Sequence, residues 1–502
     1  MNNSQGFYSA VTGWLKYPFW VFYLIFFFVG FTVKGQQNKQ DDFLKQFEDF
    51  KSKIETRHQV FTDRNDSIFL KFLNASWKKV SLVSNNNKFR LKPVQQPIQA
   101  DTILNSFELK IDSAQSSKSD TPLSQGRLQL EIQTPISYGN ISYLKRLNFY
   151  GIETPLEVKT QFLPQLKSIS SQSIAKFYSE LIRNTDYWKG QLSYLQALRS
   201  KHKLNDWGYY QLSNKVSQLF YNGLNETRLL AWFLLIKSGY KVKVGYDNGQ
   251  ICLIMATNER LFNVPYFREN DELFYVMVDN GFPIKDLETY DQNFPGNLRT
   301  VSLALSTYPL LQGNKVSKII KYKNNQFDFS FNRGVLDFLS SYPLCELKLY
   351  FGPGLTSANE TVLDDFFRKK LAGLSKRAAV DLLLDFCQFA FPYATDQAQF
   401  GKEKYLFPEE SLFFPANDCE DRTVFLSYLI RRYLNLQTIA LDFPDHVNLG
   451  VNLNEAISGS FVTFNGARYL ICDPTYINAK SGMLSPAFAN QKVKLINVEQ
   501  SN

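Results

Sequence analysis

The chain has 502 residues, 44% hydrophobic and 15% aromatic, a composition of folded protein in a length too great for one ordinary core, so two to four units are expected. A formal charge of +9 could suggest nucleic acid or an anionic surface, but Lys and Arg are spread along the chain without a basic run or recognition motif, so no nucleic-acid partner is expected. Five cysteines without Cys-x-x-Cys spacing argue against a disulfide framework. Three histidines, with no ligand cluster, no Walker loop and no Gly-x-Gly-x-x-Gly, argue against a metal or other cofactor.

Residues 17–33 form an uncharged apolar run between Lys16 and Lys34, which makes residues 1–35 a signal peptide or membrane anchor. Small residues near Gly35 favour cleavage, and in either case an exported product is expected, in the periplasm or cell envelope or anchored to the membrane. Over residues 36–79, Phe43, Phe47, Phe50, Ile54, Phe61, Ile68 and Phe72 trace the seam of an amphipathic helix, with His58 beside it, packed on the body or on a coiled-coil partner. Residues 80–126 are polar with Pro93 and Pro97 and are expected to be a linker, with one short strand near 107–111.

Alternating segments at 127–132 and 141–158 suggest a small β unit, followed by helices near 171–183, 186–199 and 207–220. His202, in the basic stretch 199–203, is expected to be a solvated loop residue. Residues 300–355 carry strand signals at 318–322, 327–331 and 346–351, a β connector closed by Gly352-Pro353-Gly354. Helical patterns at 358–374 and 377–391 then open the last unit, 356–502.

That unit is organised by Asn417-Asp418-Cys419-Glu420-Asp421-Arg422. From Cys419 onward Val424, Phe425, Tyr428, Leu429, Tyr433 and Leu434 recur at helical spacing; Asn417 or Asp418 caps the start, and Arg431 and Arg432 suit the end. A thiol in a first helical turn is disposed to ionise, although three neighbouring carboxylates oppose this, so a cationic partner is needed. His446 lies 27 positions later (446 − 419) in a strand that carries His446, Asn448, Gly450 and Asn452 on one face. A hairpin follows, 461–464 and 468–473 around Asn465-Gly466, and Asp473 ends it where its carboxylate can orient the imidazole. Gln399 and Tyr405 are weaker candidates to line the site or to stabilise an oxyanion; core or loop roles suit them better.

These residues resemble the transglutaminase-like cysteine enzymes of the papain-like superfamily: Asn-Asp-Cys419-Glu-Asp-Arg opens a helix, Asp-His446-Val opens a strand and Cys-Asp473-Pro-Thr closes one. The resemblance covers the last quarter to third of the chain. It implies an α+β fold with Cys419 as nucleophile, His446 as base and acid, Asp473 as orienter, and a protein or peptide substrate attacked at an amide through a thioester. The acyl group then passes to water (protease, deamidase) or to an amine. The alternative is a cell-envelope binding or scaffold protein that keeps only the fold. The other cysteines, Cys252, Cys345, Cys387 and Cys472, lie in apolar segments and read as inert.

The middle of the chain, within 127–299, echoes this unit. Without gaps, 225–236 aligns with 419–430, and both Asp279 and Asp473 lie 54 positions beyond the first aligned residue. Asn225 then stands at the nucleophile position and the histidine position falls on or beside Cys252. A degenerate second transglutaminase-like unit is the favoured reading; unrelated α/β segments of similar pattern are the other.

Overall fold

Two antiparallel sheets, each entered from a buried helix, set the architecture of this computed structural model, which describes residues 64–75, 77–83, 142–278, 284–456 and 458–498. The chain divides into two compact units, Met1–Asn65 and Asp66–Asn502. Of the first, only residues 64 and 65 are among those described, so the apolar run 17–33, His58 and most of the expected helix over 36–79 lie outside them, as do the segments 107–111 and 127–132. Among the described residues no helix is long and apolar enough to cross a membrane.

The second unit is α+β. It opens with helical residues 66–73, strand β1 (Lys78–Ser81) and the hairpin β2 (Ser142–Phe149) and β3 (Ile152–Lys159). Helices α1 (Ser171–Ile182), α2 (Thr185–Lys201), α3 (Asp206–Phe220) and α4 (Leu224–Lys237) follow. The first sheet then forms from β4 (Val242–Asp247), β5 (Gln250–Ala256), β6 (Tyr266–Glu269), β7 (Glu272–Met277) and β8 (Asp286–Thr289), in the order β1-β8-β4-β5-β7-β6. A hairpin, β9 (Lys315–Tyr322) and β10 (Asn325–Asn332), leads through α5 (Arg333–Ser340) to α6 (Ser357–Leu371), α7 (Lys376–Phe389) and the short α8 (Asp396–Phe400) and α9 (Pro408–Phe413). Helix α10 (Cys419–Leu434) introduces the second sheet, β11 (Thr438–Asp442), β12 (Val447–Val451), β13 (Phe461–Phe464), β14 (Ala467–Cys472) and β15 (Lys494–Asn497), in the order β13-β14-β12-β11-β15.

Read from the other edge, the second sheet runs β15-β11-β12-β14-β13, and the first runs β8-β4-β5-β7-β6 with β1 added outside β8. The two halves therefore share one topology: a helix, then five strands in the same spatial order with the same antiparallel partners. Their turns use the same device. Asn248-Gly249 and Asn465-Gly466 all have positive φ, which suits two-residue hairpins. The entry helices are encased on every side: residues 227–236 of α4 and 419–430 of α10 are all buried. A helix apolar on one face was expected for α10; the polar residues on its other faces are buried and hydrogen-bonded instead.

Three local expectations are corrected. The expected helix over 36–79 gives way after residue 73, and 78–81 form a strand paired with β8, so residues at the start of the expected linker are sheet edge. Leu347–Phe351 is a 3-10 helix, not a strand; its adjacent Tyr350 and Phe351 are both buried, which one face of a strand does not permit, and Arg431 captures the Phe351 carbonyl at 2.5 Å. His202 is buried at the end of α2, with Nδ1 2.8 Å from the Leu310 carbonyl oxygen, because the 310–311 segment folds back over it.

Gly450, in the middle of β12, marks how closely the second sheet is packed. A methyl group there would meet Ile439 Cγ1 at 2.8 Å and Tyr469 Cβ at 3.0 Å, neither of them at the free end of a side chain. Gly450→Ala is expected to lower stability by about 1–3 kcal/mol through overpacking, read from urea denaturation midpoints. An unchanged midpoint would mean that β12 is less tightly held than this packing implies.

Candidate active site

Helix α10 begins at Cys419 because Asp418 caps it: Asp418 Oδ1 accepts from the Asp421 amide at 3.5 Å and Asp421 Oδ2 accepts from the Asp418 amide at 3.3 Å, a reciprocal box. At the other end Asn435 adopts φ 51° and closes the helix. Of the two candidate caps, Asp418 fills the role, and Asn417 donates instead to the Ser411 carbonyl oxygen at 3.1 Å.

His446 is the last residue of the turn from β11 to β12; its carbonyl accepts from the Phe443 amide at 2.9 Å. Because β12 pairs with β14 in the register Leu449↔Cys472, the end of β14 brings Asp473 to the start of β12. His446 Nε2 lies 2.9 Å from Asp473 Oδ2. The other carboxylate oxygen accepts from the Thr475 amide (2.9 Å), the Thr475 hydroxyl (2.8 Å) and the Tyr476 amide (3.1 Å). Asn448, with its amide nitrogen turned to Asp473, lies 2.7 Å from His446 Nε2 and donates to Asp473 Oδ2 at 3.1 Å and to the Val447 carbonyl oxygen at 3.2 Å. The imidazole also stacks on Phe488, centroids 4.6 Å apart and rings at 13°. One ring face and Nε2 are thus held by neighbours, which leaves Nδ1 as the other ring nitrogen.

The helix and the strand are joined by Thr423, whose hydroxyl donates to the Val447 carbonyl oxygen at 3.0 Å. Thr423 lies one turn beyond Cys419, on the same helix face, and Val447 follows His446, so the first turn of α10 lies over the start of β12. The first sheet has the same juxtaposition. There the gapless echo pairs Met277 with Ile471; Met277 registers with Leu253 and Ile471 with Gly450, which puts Gly249, four residues before Leu253, at the histidine position. The expected equivalent, Cys252, is instead a buried core residue of β5. Two of the three residues of displacement come from the turns, since the β4–β5 turn has two residues and the β11–β12 turn has four, and the third from the helix-to-strand connection before them. Asn225, at the nucleophile position, donates to the Gly249 carbonyl oxygen at 3.2 Å and accepts from the Ile251 amide at 2.9 Å. Asp279, the expected counterpart of Asp473, lies outside the described residues.

All three candidate residues are buried, with exposures of 2% for Cys419, 6% for His446 and 1% for Asp473. Burial opposes ionisation of Asp473, but the charge and hydrogen bond of His446 and the Thr475 donors outweigh it and hold the carboxyl below its ordinary range. Burial likewise opposes a charged imidazole, and Asp473, Glu420 and Asp445 outweigh it and raise His446 above its ordinary value. Cys419 Sγ lies 2.8 Å from Glu420 Oε2. The other four thiols are in no disulfide and are buried, and burial raises Cys345 to about 12 and also raises Cys387 and Cys472.

Sequence reasoning missed the supports of this site. Arg422 is 1% exposed and donates to the carbonyl oxygens of Phe391 (2.6 Å), Pro474 (3.2 Å) and Gln388 (3.4 Å). The Gln388 amide donates to the carbonyl oxygens of Asp473 (3.2 Å), Tyr476 (2.9 Å) and Ala479 (3.1 Å), which fixes the loop after β14. Gln399 braces Ala416 through both of its carboxamide atoms, at 3.1 and 3.0 Å, and Tyr405 packs edge-on against Tyr350. These are a loop-bracing role for Gln399 and a core role for Tyr405. The buried carboxylates Asp396, Asp418 and Asp421 lie within 4.8 Å of one another, but backbone amides occupy them: Lys404 on Asp396 and Leu406 on Asp421, both at 2.9 Å. Away from these elements, a polar hollow of about 430 Å³ opens between the β2–β3 turn, α3 and the start of α5, lined among others by Asn148, Gln211, Lys215 and Arg333.

The paired shifts fix a pH dependence. Asp473 is depressed, so its contribution to stability is present above its unfolded value of about 3.9 and is lost as pH falls through the folded value. His446 is raised, so its contribution is complete below about 6.5 and is lost as pH rises through the folded value. Asp473→Asn is expected to lower stability most between those two pH values and to flatten both flanks in denaturation profiles. A variant profile parallel to the wild-type curve would show that the pair adds nothing pH-dependent.

Comparison of the chain with protein-family models, with curated proteins and with solved structures returned no match.

Proposed function

We propose that the chain is an exported cysteine enzyme of the transglutaminase-like, papain-like type, acting on amide bonds of a protein or peptide through Cys419, His446 and Asp473. The observation that carries this reading is the 2.9 Å contact of His446 Nε2 with Asp473 beneath a helix that begins at a cysteine. In the proposed reaction the Cys419 thiol gives its proton to His446 Nδ1 as Sγ bonds to the substrate carbonyl carbon. The C–N bond then breaks, His446 returns the proton to the leaving amine, and a thioester remains. Water or a second amine, deprotonated by His446, resolves the thioester to acid or to new amide. Asp473 keeps the imidazole in the tautomer that exposes Nδ1, and the positive end of α10 supports the thiolate. No cofactor takes part in this scheme.

Shared topology supports reading the first sheet and α4 as a second copy of the same unit. With Asn225 and Gly249 at the two reacting positions it has neither nucleophile nor base, so its proposed role is binding or support. The apolar run 17–33 supports delivery to the cell envelope, as a cleaved signal or as an anchor.

A second reading, an envelope scaffold that keeps the triad as structure, is favoured by the burial of Cys419 and by Phe488 lying flat on His446. Alkylation separates the two. Under the enzyme reading, iodoacetamide modifies Cys419 well below the free-thiol pKa of about 8.5, His446→Ala abolishes that reactivity, and amide turnover disappears in Cys419→Ala. Slow modification indifferent to His446→Ala would leave the scaffold.

A further inference from the structure

Glu420 lies beside the thiol in the first turn of α10. Its Oε2 lies 2.8 Å from Cys419 Sγ, and its side chain is fully buried. By contrast, Cys345 Sγ lies 3.6 Å from the Tyr350 hydroxyl and Cys472 Sγ 3.8 Å from the Leu470 carbonyl oxygen. Glu420 also acts on the base, since its charge is one of the influences that raise His446. One buried carboxylate therefore bears on both partners of the expected proton transfer.

We propose, building on the enzyme reading above, that Glu420 is a positioning residue that holds the Cys419 thiol proton at rest and sets the pH window of the cysteine–histidine couple. The Sγ–H bond points to Glu420 Oε2 in the resting state, which fixes the sulfur rotamer. When the proton moves to His446 Nδ1, Glu420 stays ionised: its charge disfavours the thiolate beside it and favours the imidazolium opposite. Two macroscopic steps result. The fully protonated couple loses a proton to give thiolate and imidazolium, and that pair then loses the imidazolium proton. A negative charge at Glu420 moves both steps to higher pH, because each protonated form is the more positive one. The other groups bearing on the couple are Asp418 beside Sγ, Asp473 and Asp445 around the imidazole, and Arg422 one turn along α10, itself coupled to Asp418 and Asp473.

The test is the rate of Cys419 alkylation against pH in wild type, Glu420→Gln, Glu420→Asp and His446→Ala, read by peptide mass. Glu420→Gln is expected to move both limbs of the profile to lower pH and to raise the rate at a fixed pH on the acid limb on the order of tenfold, equivalent to one pKa unit. Glu420→Asp keeps the charge and is expected to keep the wild-type limbs. Limbs in Glu420→Gln that coincide with wild type, or move up, overturn the assignment. A wild-type rate that ignores His446→Ala overturns the cysteine–histidine reading itself, so the two failures are distinct. A second measurement does not require Glu420→Gln to fold. The wild-type Cys419 S–H stretching band, assigned by its loss in Cys419→Ala, should lie below the bands of the other thiols, because a carboxylate acceptor weakens the S–H bond most. A Cys419 band among the others also overturns the proposal.

Discussion

A guanidinium sealed from water, that of Arg422, ties the start of the Cys419 helix to the end of α7, to the chain beyond that helix and to the loop that follows Asp473. It sits in the first turn of α10, and its donors reach the last turn of α7 at Gln388, the chain beyond that helix at Phe391, and the loop after β14 at Pro474. Burial lowers its pKa, while Asp418 and Asp473 among others pull the other way. Such a group is tolerated only when neighbouring dipoles replace its hydration, and here backbone carbonyls that have no helix or strand partner do so. Removing the side chain would leave those carbonyls unsatisfied at the point where α10 meets Asp473. Arg228, at the equivalent position of α4, is also buried and donates to the Ile251 carbonyl oxygen at 2.5 Å. The two halves thus bury one arginine at one position of an encased helix, bound to a strand carbonyl in the first and to helix-end and loop carbonyls in the second.

The acids around the start of α10 are handled differently. Asp396, Asp418, Glu420 and Asp421 are all buried within a short stretch of space, and like charges so close repel strongly in a poorly solvated interior. Backbone amides from 404, 406, 418 and 421 meet three of these acids, and the positive end of the helix adds to them. The cationic neighbour that would most favour a thiolate is His446, which is held by Asp473. Of these acids, Asp418 and Glu420 each place a carboxyl oxygen within 4.8 Å of the Cys419 sulfur, so a thiolate there would need a compensating positive charge.

Much of this arrangement was legible in the sequence because its signals are local. The cap and dipole residues flanking Cys419, the alternation 446–453 and the Asn-Gly turn at 465–466 each fix an element within a few residues, although His446 falls in the turn before its strand instead of on it as expected. The supports were not legible, because they arrive from distant segments with no periodicity: Gln388 from α7, Phe488 from a 3-10 turn, Thr475 from a loop. A signal for Arg422 did exist in its repetition as Arg228 three positions after Asn225, but alone it looked like an ordinary charge on a helix face. The placement of Cys252 failed for a different reason. A gapless alignment assumes equal turn lengths, whereas strand register depends on ladder pairing and absorbs a two-residue difference in the hairpin.

That two-residue difference separates the two halves chemically. In the first sheet Asn248-Gly249 closes β4 to β5 with the shortest common turn, and the residue before β5 has no side chain to offer. In the second, Phe443-Pro444-Asp445-His446 makes a longer turn that carries a ring over the strand edge and packs it between Asp473 and Phe488. With the base absent, an asparagine at the nucleophile position ties directly to the turn backbone and stabilises the junction. In the second half His446 stands at that turn position and a cysteine, small enough for the encased helix, opens α10. The same helix-over-sheet frame thus carries an asparagine tied to the turn backbone in one half and a cysteine with a buried histidine–aspartate pair in the other, and turn length together with one side chain at the helix start separates the two.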